Sequence, residues 1–159
     1  MPQHRFLETT ELMTPDMANF SGKVHGGALL KLLDLVAFSC ASRYSGEYAV
    51  TLSVDQVVFK EPIHVGELVH FRASVNFVGR TSMEIGIRVE AENIRTQTVR
   101  HTNSCYFTKV AVDDDGKSVE APQFQPETPL DRKRWRAADM RRTLRREHAE
   151  RMAEISQAE

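Results

Sequence analysis

Asp34 stands where an apolar segment should hold no charge. From Ala28 to Ala41 only Lys31, Asp34 and Ser39 are polar. An unpaired carboxylate in such a segment is costly to bury, so it needs either a partner or a purpose. The partner in reach by sequence is Lys31, one turn earlier, and such a pair is worth only about 0.2–0.5 kcal/mol on an isolated helix. The purpose would be catalysis. A carboxylate in a partly apolar cleft, its pKa tuned by burial, can act as a general base or a nucleophile. Residue type alone leaves both readings open.

The residues just before Asp34 suggest what it would act with. Gly26 and Gly27 open the apolar segment. Backbone N–H groups at a helix start are unpaired and sit at the positive end of the helix dipole. Glycine leaves them uncovered, so they suit a developing oxyanion, where one lost donor costs a few kcal/mol in the transition state. Helix initiation or close backbone packing would also explain two glycines. Asn19 fits a turn or cap, or an amide that holds a water or a carbonyl oxygen. His25 fits a loop role, or a pH-sensitive donor whose protonation the helix end disfavours. Asp34 lies seven residues past Gly27, about 10 Å along a helix. That is too far for both to serve one carbonyl carbon at hydrogen-bond range. If both serve one reaction they come from two copies of the chain, which predicts a homodimer with two equivalent sites.

These residues must be positioned by a helix and a sheet. The helix is expected from about His25–Gly27 to Arg43, closed by Ser45 and Gly46. Being apolar almost all round, it should be buried on most faces. A weak strand is expected over 5–13. Tyr48, Val50, Leu52 and Val54 alternate with Ala49, Thr51, Ser53 and Asp55 as a strand, with Val57–Phe59 as its possible continuation. Segments 65–78 and 82–92 flank Gly79 and Arg80 as a hairpin. A last strand runs over about 98–112, stopped by the acidic turn Asp113–Gly116. One helix and a set of antiparallel strands give an α+β fold with the sheet wrapped around the helix. The domain spans 5–122. The remainder, 123–159, reads as a linker, marked by Pro122, Pro126 and Pro129, and then a basic helix from Asp131 to Ile155.

Bulk properties exclude several classes. The chain has 159 residues, 41% hydrophobic and 27% charged, with a net charge of -1, so no global charge draws it to nucleic acid or anionic membrane. Two cysteines make no disulfide framework. No signal core and no span of about 20 apolar residues is present, so a cytoplasmic location without membrane attachment is expected. The histidines lack metal-ligand spacing, and no phosphate-binding loop, dinucleotide fingerprint or nucleophile elbow occurs. No metal and no cofactor is expected. Arg132, Lys133, Arg134, Arg136, Arg141, Arg142, Arg145, Arg146 and Arg151 form a basic cluster. It reads as a solvated helix face or a phosphate contact, and nucleic-acid binding lacks a recognisable module.

The pattern Asn19-x-x-Gly22-x-Val24-His25-Gly26-Gly27-x-x-x-Lys31-x-x-Asp34 resembles the acyl-coenzyme A thioesterases of the hotdog fold, in the group of brain acyl-CoA hydrolase and the small bacterial enzymes. The segments Gly79–Ile85 and Cys105–Lys117 carry the resemblance on. It implies a hotdog domain pairing edge to edge with a second copy, with members assembling further as a trimer of dimers, a homohexamer. It implies hydrolysis of acyl-CoA to a carboxylic acid and CoA, within fatty acid metabolism. Asp34 matches the catalytic aspartate, Asn19 the catalytic asparagine, and Gly26 or Gly27 the helix-start amide. His25 and the turn residues Arg80, Thr81 and Ser82 are expected to bind substrate, the last three at the pantetheine or phosphates. A non-catalytic acyl-CoA sensor on the same fold is the alternative. A dehydratase would need a histidine beside the carboxylate.

Overall fold

The computed structural model describes residues 4–158, which fall into two compact units, one ending at Gln123 and one beginning at Phe124. The first holds strand β1 (Phe6–Leu12), a 3-10 turn (Pro15–Met17) and helix α1 (Gly26–Ser45). Strands β2 (Tyr48–Val54), β3 (Leu68–Val78), β4 (Ser82–Asn93) and β5 (Thr98–Val112) follow. All strand pairs are antiparallel, in the order β1-β3-β4-β5-β2. β1 and β2 are therefore the two edges.

The sheet forms because its middle strands alternate. Val69, Phe71, Ala73 and Val75 of β3, Met83, Ile85, Ile87 and Val89 of β4, and Cys105, Phe107 and Ala111 of β5 are all buried. Gly79 donates to the Ser82 carbonyl and closes the β3–β4 hairpin, where the sequence puts it. β2 stops at Val54, so Val57–Phe59 does not continue the strand.

α1 lies across this sheet and touches each of its five strands. Its buried residues are Leu29, Leu33, Val36, Ala37, Cys40, Ala41 and Tyr44, a single stripe at helical spacing. This corrects the expectation of a helix buried on most faces. Leu30 and Leu35 are exposed, Leu35 at 51%. The physical reason is that one five-stranded sheet curls over only one side of a helix. Apolar residue type does not distinguish the side that its own sheet covers from the side that it leaves open. Gly46 ends α1 in the left-handed conformation, φ 75°, which glycine adopts without a Cβ penalty.

The second unit is helix α2 (Pro129–Gln157). Thr128 and Asp131 form a capping box at its start, and Pro129 takes the first helical position, where a missing N–H costs nothing. Phe124 packs edge-on against Trp135, with ring centroids 5.3 Å apart. Among the described residues no helix is long and apolar enough to cross a membrane.

Candidate active site

Asp34 is half exposed, with 50% of its side chain accessible, and both of its hydrogen bonds fall on one oxygen. Thr51 Oγ1 donates to Asp34 Oδ1 at 2.7 Å, and Lys109 Nζ donates to the same atom at 2.8 Å. Nζ also reaches Thr51 Oγ1 at 2.6 Å, closing a triangle. The sheet explains the arrangement. Thr51 of β2 and Lys109 of β5 are register partners on neighbouring strands, and both face α1. Lys109 is only 1% exposed. The Lys31 pair weighed from sequence is not what forms: Lys31 is exposed and makes no ion pair among the described residues. Burial alone pushes the Asp34 carboxyl up, but the bonds from Lys109 and Thr51 and the ammonium charge outweigh it. The net effect holds the carboxyl below its ordinary range.

Asp34 lines an apolar pocket of about 430 Å³ with Leu30, Val54, Val57, Phe59 and Phe107. Asn19 and Gly26 line a different one, of about 250 Å³, walled by Lys23, Leu29, Phe59, Glu61 and Pro62.

The loop before α1 fixes Asn19 with its oxygen inward. Asn19 Oδ1 accepts from the Ser21 N–H at 2.9 Å, the Ser21 hydroxyl at 2.7 Å and the Lys23 N–H at 3.2 Å. Backbone N–H groups can only donate, so the amide oxygen must be the atom that faces them. The amide nitrogen has no acceptor among the described residues. Asn19 is therefore left as a donor through Nδ2, able to hold a carbonyl oxygen or the oxygen of a water.

The two glycines differ. His25 caps α1 and its Nδ1 accepts from the Gly27 N–H at 2.9 Å. That gives His25 a structural role and occupies the Gly27 amide. Gly26 is the first helical residue, and its N–H has no partner among the described residues. Arg80, Thr81 and Ser82 lie at the β3–β4 turn, outside the two pockets. The carbonyls of Arg80 and Thr81 accept from Ala121 and Ala111, and the Arg80 side chain is exposed. No group of three or more metal-ligating side chains occurs among the described residues. Sequence reasoning missed Thr51 and Lys109.

Residues 21–98 match the thioesterase superfamily. Protein VdlD of Helicobacter pylori is 50% identical over 134 residues, covering 84% of this chain and 76% of that protein. The structure of an apo-hexameric acyl-CoA thioesterase superposes with a TM-score of 0.87 at 33% identity, covering 94% of this chain and 96% of that one. The chain belongs to the hotdog acyl-CoA thioesterases. These are thioester hydrolases, and the five-stranded sheet with α1 is their fold. An acyl-CoA hydrolase from Staphylococcus aureus, solved with butyryl coenzyme A, coenzyme A and coenzyme A disulfide, is 26% identical with a TM-score of 0.83, covering 96% of this chain and 94% of that one. That hydrolase has also been solved with an asparagine, an aspartate fifteen residues later, and a threonine seventeen residues beyond that each replaced by alanine. Asn19, Asp34 and Thr51 of this thioesterase have the same spacing.

Proposed function

We propose that this thioesterase hydrolyses acyl-coenzyme A to a free carboxylic acid and CoA, at sites built from two copies of the chain. The observation that carries the reading is the division of labour between the two pockets. One holds two unpaired donors at the start of α1, Asn19 Nδ2 and the Gly26 N–H, as a carbonyl oxygen requires, with Glu61 elsewhere in its lining. The other offers a charged carboxylate in apolar surroundings. The donors polarise the thioester carbonyl. Asp34 of the partner subunit works through Oδ2, the oxygen left unbonded, to take a proton from the attacking water, a step worth about 10²–10⁴-fold. The Asn–Asp–Thr spacing shared with the Staphylococcus aureus hydrolase supports these assignments. In this reading Arg80, Thr81 and Ser82 meet the CoA arm, and the exposed Arg80 side chain supports this.

The edge strand β2 supports pairing. Its polar and small residues Ala49 and Thr51 face α1, while Val50 and Leu52 are 50% and 68% exposed. Joining β2 to its copy would give each Asp34 a partner's Asn19 and Gly26. Three such dimers would make the hexamer of the acyl-CoA thioesterase that the chain resembles, acting in the cytoplasm on substrates of fatty acid metabolism.

Turnover of acyl-CoA with release of free thiol tests the activity, and Asp34→Asn should lose at least about 10²-fold in kcat. Full activity in that variant ends the proposal. Mixing tests the shared site. Asn19→Ala and Asp34→Asn should each be nearly inactive alone, but random re-pairing makes half the dimers mixed, and each mixed dimer should carry one intact site. About a quarter of wild-type activity should return. No recovery after verified exchange would place both residues of a site in one chain.

A further inference from the structure

Lys109 is a buried lysine whose ion partner is half exposed, and this asymmetry asks for an explanation. In β5 the inward row is Cys105, Phe107, Lys109 and Ala111, each at most 1% exposed. One charge in such a row is costly to bury. An exposed aspartate does not need a lysine from the core, since water and Lys31 are both at hand.

Building on the proposed function, we infer that Lys109 is a positioning residue for the hydrolysis: with Thr51 it pins Asp34 Oδ1, so that Oδ2 alone is presented to the reacting atoms. An exposed aspartate ordinarily samples several rotamers. Here two donors at 2.7 and 2.8 Å converge on one oxygen. The 2.6 Å bond from Nζ to Thr51 Oγ1 prevents either donor from swinging alone. Both donors rise from paired strands, so the carboxylate of a helix is held by the sheet. The ammonium also stands 5.7 Å from the centre of the Phe107 ring, on a wall of the Asp34 pocket. The groups facing Asp34 are few. Among the described residues they are Thr51 from β2 and Lys109 from β5, while the exposed Lys31 on α1 makes no ion pair, and the rest of the pocket lining is apolar. Among the described residues Lys109 is thus the single buried charge acting on the carboxylate, and its effect is to keep Asp34 ionised to lower pH.

The test uses the full-length enzyme with acyl-CoA substrates across pH. Lys109→Met keeps the length of the side chain and removes the charge. It should lower kcat by about 10–100-fold, leave KM within about threefold, and move the acidic limb of the kcat/KM profile to higher pH. Lys109→Arg should restore the limb and part of the rate. A folded Lys109→Met enzyme with an unmoved limb and kcat within about twofold of wild type overturns the inference. Should Lys109→Met fail to fold, Thr51→Val removes the other anchor, and its acidic limb should also rise; an unmoved limb there overturns the inference equally. Retained activity in Asp34→Asn would instead sink the proposed function, so the two failures are distinguishable.

Discussion

The ion pair between Asp34 and Lys109 spans the boundary between core and surface, and a second crowded contact shows how little slack the sheet has nearby. Asn76 is a bulge residue of β3 whose amide is pinned by Ser74 at 2.7 Å and Glu84 at 3.2 Å. It lies over Gly86. A Cβ at position 86 would stand 2.4 Å from Asn76 Nδ2 and 3.2 Å from the Tyr106 ring. Gly86→Ala should therefore destabilise by about 1–3 kcal/mol, read from the denaturant midpoint; a variant as stable as wild type would show that Asn76 moves freely. Asn19, Gly26 and Asp34 were legible as candidates because their types are unusual for where they stand. Lys109 was not picked out, although a signal exists. It has the parity of Cys105, Phe107 and Ala111, so a period-2 reading puts a lysine on the buried face. Thr51 likewise shares the parity of the small residue Ala49. The Asn19 amide could not be oriented from sequence, since that depends on two backbone N–H groups brought round by a turn.

At the level of elements, the loop between β2 and β3 has to be held against α1, and Glu67 holds it. Glu67 is 4% exposed. Arg100 of β5 donates to both of its oxygens and to the Pro62 carbonyl, while the His64 N–H donates to Oε1. Val24 in turn donates to the Ile63 carbonyl, so the clamp reaches the start of α1 and the wall of the Asn19 pocket. The bonds from Arg100, outweighing burial, hold the Glu67 carboxyl below its ordinary value of 4.5. A depressed folded pKa means that the stabilisation is fully present above the unfolded value and is lost as pH falls through the folded one. Glu67→Gln should thus lower the melting temperature most at neutral pH, with the deficit shrinking below about pH 4.5. A deficit that does not change with pH would remove Glu67 from the role. Helices and hairpin were read within a few residues from glycine, proline and periodicity. This clamp was not, because Glu67 and Arg100 are ordinary strand-end residues until the sheet brings them together.

For the whole molecule, the reading of an α+β hotdog holds, while the open sides of α1 and β2 were not foreseen from composition. Apolar residues on both sides of a helix look like core whether one sheet or two will cover them. The uncovered β2 edge has a consequence for kinetics. If half of each site belongs to another chain, catalytic competence is a property of an encounter, and turnover per chain should depend on protein concentration. Serial dilution at fixed substrate should lower specific activity once the chain falls below its dimer dissociation constant, with the rate tending to second order in protein, while circular dichroism stays constant. Specific activity flat through a measured dissociation to monomers would mean that one chain suffices.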